Sequence, residues 1–310
     1  MAVSVPNWIV QQYADMAEHL YQQKYPRLRQ YVRAKTGVRG ERCSFDRLGA
    51  SSFNEIVDRH GDTQYVDPEH TRRWVSKRDF DHAILLDRQD NLEILVNAQE
   101  AYVANGAMAK ARLGDTRILR AAEGNAYQGK ETAVTTALPA AQKIANGGTG
   151  LTPAKFRTAR ETMSTDEVGL DDMNMGMEGM FVAVVSPVGM KQMLAQTEAT
   201  SSDFIGSTGQ RMPLVNGRIP EYMGFKLQQH NDLTKTGNIR QCLFWHRESM
   251  GLAIWEEEFM TIDPLPTKRY SLQIYRACSL EATRIQDEGV VQVDIDETQL
   301  GDCSIWQLFI

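Results

Sequence analysis

Several groups of side chains in this sequence have types and spacings that invite a chemical reading. Asn146-Gly147-Gly148-Thr149-Gly150 stands just before Thr152-Pro153, so its backbone amides are candidates for holding an anion at a helix N-terminus. Phosphate chemistry there asks for more, either the lysine of GxxxxGK[ST] or a strand-first GxGxxG. Neither is present, and the glycines read as a turn into a capped helix. His19, His60, His70, His82, His230 and His246 form no HExxH or HxH set. Asp79, Asp81 and His82 are close in sequence, and Cys242 precedes His246 by one helical turn's spacing, but a metal centre needs three or four convergent ligands. Cys43, Cys242, Cys278 and Cys303 lie far apart without a CxxC pair, which fits reduced, buried thiols better than a disulfide frame or zinc knuckle. Glu256-Glu257-Glu258 offers carboxylates for acid–base work, yet neighbours in a strand point to opposite faces, so a solvated edge is the simpler reading. Met173, Met175, Met177 and Met180, interleaved with Gly, Asp and Asn, suit an adaptable contact loop better than a soft-metal box. With no GxSxG elbow either, the expectation is a protein without an active site, cofactor or metal.

The most concentrated chemistry is cationic. Lys24, Arg27, Arg29, Arg33, Lys35, Arg39, Arg42 and Arg47 are opposed locally by Glu41 and Asp46 alone, and the run leads into a long polar arm. Glu41 to Leu48 and Ser51 to Arg59 read as two strands joined at Gly49-Ala50, with only scattered apolar residues such as Phe45, Leu48, Phe53 and Ile56. An isolated ribbon of this kind is marginal in water, so it must fold over its own domain or lie on a neighbouring subunit. The far end is acidic: Glu281, Asp287, Glu288, Asp294, Asp296, Glu297 and Asp302 face Arg284 alone. The two ends either pair between subunits or are solvated faces. A net charge of −6 argues against a sequence-specific nucleic-acid reader, which needs a basic footprint for phosphates.

A chain of 310 residues at 42% hydrophobic content suits one large or two medium domains. No stretch approaches the roughly 20 apolar residues of a membrane helix, no membrane partner is expected, and the N-terminus lacks a signal-peptide pattern, so a cytoplasmic start is expected. A first helix is predicted from Asn7 to about Lys24, ended by Pro26, then a short helix from Asp81 to Glu93. A long helix from Asn97 to Glu123, about 40 Å at about 1.5 Å per residue, is closed by Gly124. Gly106 and Gly114 inside it cost about 1 kcal/mol each relative to alanine, so tertiary packing must support it. A strand pair is expected near Thr132 to Ala137, a helix from Pro153 to about Ser164, and a buried strand from Met180 to Val185 leading into a helix at Ser186-Pro187. Strands follow at Phe225 to Gln229, Arg240 to Trp245, Leu252 to Trp255, Tyr270 to Ala282 and Val290 to Ile295.

Several stretches together resemble the major capsid proteins of tailed bacteriophages. They are His19-Leu-Tyr-Gln-Gln-Lys-Tyr-Pro-Arg-Leu-Arg, Lys35-Thr-Gly-Val, Arg59-His-Gly-Asp, Ile144-Ala-Asn-Gly-Gly-Thr-Gly-Leu-Thr152, Gly217-Arg-Ile with Met223-Gly-Phe225, and Trp245-His246 with Gly251-Leu-Ala-Ile254. Each is weak alone; their order from about residue 7 to about residue 295 makes the match specific. The resemblance implies an α+β chain with the HK-97-like capsid fold: an N-terminal arm (1–35), an extended β-hairpin loop over the adjacent subunit (36–80), a peripheral domain with a long spine helix (81–167 and 261–300), an α/β axial domain (168–260) and a tail (301–310). It implies self-assembly into pentamers and hexamers of an icosahedral virion shell, built in the host bacterial cytoplasm, with a portal protein and with double-stranded DNA enclosed without sequence specificity. Whether a decoration protein covers the shell is left open.

Two variations of the family can be judged from the residues. Some relatives carry a long cleavable N-terminal scaffold domain, but here the first helix is expected to begin by Asn7, so a separate scaffolding protein is expected. No lysine lies between Arg39 and Arg59, so the lysine–asparagine weld of some relatives is not expected and the shell is non-covalent. Inter-subunit contacts are then expected from Arg27, Arg29, Arg33, Arg39, Arg42, Arg47, Arg59, Arg72, Arg73 and Trp74, since Arg and Trp dominate interface hot spots. Hinging is expected at Thr36, Gly37 and Gly40, and axial-loop contacts at Met173, Met175 and Met177. The apolar ending Ile305-Trp306-Gln307-Leu308-Phe309-Ile310 is expected to dock on a domain surface. Two rivals stand beside this reading: an encapsulin-like bacterial compartment with the same fold, and a cytoplasmic α/β enzyme with a swapped dimerisation arm.

Overall fold

A computed structural model describes residues 20–55, 61–87, 98–129, 134–169, 180–196, 217 and 219–299. Its largest sheet grows from β8 (Phe181–Val185), a run of five apolar residues that is buried at every position. Ser186 follows it, and its hydroxyl accepts from the Gly189 amide at 3.1 Å to start α3 (Pro187–Leu194) with proline in the first turn. Beyond α3 the chain returns as β10 (Phe225–Gln229), parallel to β8, while β12 (Ile239–His246) flanks the other side antiparallel. The full order is β7-β15-β12-β8-β10-β9, with β7 at Lys143–Ile144, β15 at Val290–Asp296, β9 at Glu221–Tyr222, and β11 (Lys235–Thr236) also on β12. Helix α2 (Pro153–Thr165) presses Phe156 into this sheet, with ring centroids 5.3 Å from Tyr222, 6.2 Å from Phe225 and 4.9 Å from Phe244. Such offset aromatic packing, together with the fully buried Trp245, makes this the main core.

A second sheet has the order β1-β13-β14-β4. β13 (Met250–Leu265) and β14 (Ser271–Arg284) form a long hairpin; β1 (Arg33–Thr36) runs parallel to β13, and β4 (Asp79–Leu86) antiparallel to β14. The long helix α1 (Ala98–Glu123) lies against it, and Gly124 donates back to the Arg120 carbonyl at 2.9 Å. The third sheet, β2-β3-β5-β6, joins β2 (Arg42–Leu48), β3 (His70–Ser76), β5 (Ala126–Gln128) and β6 (Val134–Thr136).

Three expectations are corrected. Residues 81–86 are strand: Phe80, His82, Ile84 and Leu86 share the less exposed face at a period of two, a pattern that pairs with β14 where a helix was expected. The partner of β2 is β3 and not Ser51 to Arg59, whose described residues form no strand. Of the expected first helix only residues 20–24 are described, and they are not helical. The amides of Arg27 and Leu28 donate instead to the buried Asp115 carboxylate on α1, at 2.9 and 3.1 Å, and the Gln23 carboxamide adds a bond at 2.5 Å.

The glycine cluster is a turn, with Gly147 and Gly148 at φ 56° and 67°. What holds it was not foreseen. Lys155, only 7% exposed, donates to the carbonyls of Asn146, Thr149, Gly150 and Asp294 at 2.9–3.0 Å, tying the turn to β15. Burial pushes its ammonium down to about 8, with the Cys242 sulfur and the carboxylates of Asp294 and Asp296 opposing that shift. Cys242, wholly buried beside it, is pushed up to about 12 by the same loss of water.

Candidate functional site: the arm and its base

The β2–β3 hairpin leaves the body with one face inward and one outward. Cys43 and Phe45 on β2 alternate inward and pack with Val75, Ala253 and Ile285 in a small satellite core. Gly251 makes the close approach: a Cβ there would lie 2.8 Å from the Phe45 ring. At the root, Gly37 and Gly40 take φ of 67° and 95°, which side chains resist, between the end of β1 and the start of β2. This bend is fastened to β13, since Val38 N–H donates to the Ile254 carbonyl at 3.2 Å and the Trp255 indole to the Gly40 carbonyl at 2.6 Å. Thr36 closes β1 opposite Ile254.

The arginines expected at subunit contacts fall into distinct groups. Arg73 is 2% exposed and bonds to Asp287 at 2.5 Å, while Arg284 reaches the other carboxylate oxygen of Asp287 at 2.9 Å. Arg284 also donates to the carbonyls of Ala122, Gly124 and Thr136. Burial lowers the pKa of Arg284, and Asp287 offsets part of that. Arg73 therefore presents no surface to a neighbour; the expectation is corrected to an internal clamp between the arm and the 284–287 corner. Arg47 is half-buried and donates to Thr71 Oγ1 at 3.0 Å and the Ile285 carbonyl at 3.1 Å, its pKa lowered by burial and then by repulsion from Arg73.

Other members reach the body of the same chain at its surface. Arg27 donates to the Gln229 carbonyl at 2.9 Å, Arg29 meets Glu257 at 2.5 Å, and Arg33 lies 3.8 Å from Glu248. Arg72 pairs with Asp46 directly across the ribbon and lies over the Trp74 ring, whose indole donates to the Gly129 carbonyl at 2.5 Å. Arg39 and Arg42 are exposed. Arg59, Met173, Met175, Met177 and the apolar ending lie outside the described residues. Much of the acidic far end is used within the chain as well: Glu281 binds Arg78 and Arg117, and Glu297 binds Lys235 and Arg240. The Glu256 to Glu258 triplet is likewise engaged, Glu258 meeting Lys110 at 3.1 Å and also Arg276.

Past Leu48 and before His70 the described residues, 49–55 and 61–69, form no regular element and are tied at their neck by Gly49 N–H to the Glu69 carbonyl at 2.7 Å. Phe53, Tyr65 and Val66 stand in solvent there, Phe53 fully so at 106% exposure. Large apolar groups left out of every core in the protomer mark a contact surface. Among the described residues, no three His, Cys, Asp or Glu side chains are grouped to hold a metal, and no helix is long and apolar enough to cross a membrane.

Comparison with known proteins agrees with this architecture. No curated protein matches by sequence. Solved structures match over nearly their whole length. A chain from Mycobacterium phage Che8 aligns at TM-score 0.68 and 15% identity, covering 95% of this chain and 99% of that one. The capsid of Ralstonia phage GP4 gives 0.70 at 11%, covering 96% and 98%, and the capsid of cyanophage Pam1 gives 0.70 at 10%, covering 97% and 100%. The fold is HK-97-like, α+β, with an extended arm. The role is structural and not enzymatic, which sets aside the enzyme with a dimerisation arm. Residues 5–297 match the family model described as phage capsid protein, and the chain belongs to that family of bacteriophage shell proteins.

Proposed function

We propose that this chain is the major capsid subunit that assembles, with a separate scaffolding protein, into an icosahedral shell of pentamers and hexamers around double-stranded DNA entering through a portal. The observation that carries the reading is the β2–β3 arm, whose base is welded into the body by Arg73, Asp287 and Arg284 while its loop holds Phe53, Tyr65 and Val66 in solvent. A rigid base with an unpartnered apolar end is built to bind outside its own protomer. Residues 1–35 then serve as the N-terminal arm, 36–80 as the extended loop, 81–167 with 261–300 as the peripheral domain, 168–260 as the axial domain and 301–310 as the tail. β7 and β15 are bonded into the sheet of β8, β10 and β12 and α2 packs on it, which supports counting these three with the axial side. Exposed Arg39, Arg42 and Arg72 with Trp74 are the arm residues left to meet a neighbour, and Met173, Met175 and Met177 belong to the axial loops.

The acidic net charge suits this role. A wall that bound each phosphate would resist both packing and release of the DNA. The test is expression of the chain alone and with the scaffold candidate from the same genome, followed by particle counting. Closed shells of uniform size are expected only with the scaffold, and uniform shells without it refute the scaffold requirement.

A further inference from the structure

The buried Asp115 carboxylate on α1 holds the first described residues of the chain. Its Oδ2 accepts from the Gln23 carboxamide at 2.5 Å and the Arg27 amide at 2.9 Å, and its Oδ1 from the Leu28 amide at 3.1 Å. Leu20, Tyr21 and Tyr25 are exposed, so apolar anchoring begins only at Leu28 and the segment before it is a strap held by polar bonds. His230, buried just after β10, faces the same carboxylate. Its Nδ1 accepts from the Asp232 amide at 3.1 Å, which places the ring proton on Nε2. That Nε2–H is buried without a hydrogen-bond partner and stands 3.7 Å from Asp115 Oδ2. The His230 backbone is fixed by its amide to the Val185 carbonyl at 3.0 Å. The other charges that adjoining elements bring to this seam are engaged. Arg27 of the strap donates to the Gln229 carbonyl, Arg112 of α1 to Gln22, and Arg240 of β12 to the Leu233 carbonyl and Glu297. Asp232 accepts from Thr116 at 2.6 Å and lies 3.7 Å from Arg120, which also meets Glu123.

A second proton on the imidazole changes both of its bonds at once. At Nδ1 it meets the Asp232 N–H, donor against donor, and that bond is lost. The resulting cation is drawn at Nε2 toward Asp115 Oδ2, an oxygen that already serves two donors, in a site where water does not screen the attraction. Of those two, Gln23 leaves with the smaller loss, because its carboxamide also donates to the Tyr25 carbonyl at 2.8 Å. We propose that His230 is a proton-operated switch: charging it hands Asp115 Oδ2 from Gln23 to the imidazole, frees the Asp232 amide and loosens residues 20–25 on α1, while Leu28 stays anchored. The signal is acidification, since histidine is the side chain whose charge changes between about pH 8 and pH 5. The switch lies within one subunit and is independent of the capsid reading.

Hydrogen exchange of the full chain, read residue by residue at about pH 7.5 and about pH 5.5 and corrected for intrinsic rates, tests the switch. Protection of the Asp232 amide should fall at least about tenfold at the lower pH, while that of the Leu28 amide on Asp115 Oδ1 stays within about twofold. His230→Asn retains an acceptor for the Asp232 amide, in an Asx-type turn, and does not charge, so its Asp232 protection should stay within about twofold across the same range. Trypsin reads the strap directly. At the lower pH the wild type should be cut after the exposed Lys24 at least about threefold faster than His230→Asn, and at the higher pH equally fast. The proposal is overturned by wild-type Asp232 protection that does not change, by an equal fall at Leu28, or by an equal fall in His230→Asn. Equal cutting of the two proteins at the lower pH overturns it as well. Should His230→Asn fail to fold, the wild-type contrast between Asp232 and Leu28 decides alone.

Discussion

Lys155 and Arg73 are two charges that the fold has taken out of water, and they differ in consequence. Lys155 donates to four carbonyls, of which that of Asn146 also accepts from Thr149 and that of Thr149 also accepts from the Asp296 amide, so Lys155→Met should cost about 1–3 kcal/mol in urea unfolding. Its titration has a definite sign. Burial holds the folded group at about 8 against about 10.4 in the unfolded chain, so between those values the unfolded chain binds more protons. Wild-type stability relative to Lys155→Met should therefore rise from pH 8 to pH 10, and a flat or falling difference contradicts the buried-ammonium account. Arg73→Ala strands Asp287 with Arg284 alone and should cost about 3–5 kcal/mol in the isolated subunit, measured by the same unfolding. A loss below about 1 kcal/mol would place Arg73 with ordinary surface ion pairs. Neither role was legible in sequence, because a Lys after a glycine turn and an Arg in a polar run look solvated until topology supplies Asp294 and Asp287 from far along the chain.

At the scale of elements, the sequence is clear where burial is uniform or caps are local. β8, β10 and the Ser186-Pro187 helix start fall where they are expected, because an all-apolar run and an N-cap need no distant information. The arm was legible as an arm but not in its pairing. Ser51 to Arg59 alternates plausibly, yet Phe45 needs Val75 and Ala253 beneath it, and only pairing with β3 delivers them. β4 was misread because His82 and Ala83 dilute an alternation that β14 makes decisive. The pairing also separates two arginines that the sequence treats alike. Arg42→Glu, on the exposed start of β2, should reduce particle yield while subunit stability stays within about 0.5 kcal/mol of wild type. Arg47→Glu should already destabilise the subunit by about 1–3 kcal/mol, since it breaks bonds to Thr71 and the Ile285 carbonyl. Equal effects of the two reversals on subunit stability would contradict this division.

Taking the molecule whole, the described residues form three sheets and a long helix, and the β2–β3 ribbon departs from them at Gly37 and Gly40, whose positive φ suits glycine. With no lysine from residue 40 to residue 58, the arm cannot be welded through its strand or the first part of its loop by that chemistry. Purified particles boiled in denaturant under reducing conditions should run as one band near 35.0 kDa, and a ladder of higher masses would show covalent closure after all. Closure of this chain into shells is decided by particle mass and shape. Light scattering with negative-stain electron microscopy on the subunit co-expressed with its scaffold candidate should show closed particles of hundreds of copies. A dimer or tetramer under every condition would contradict it.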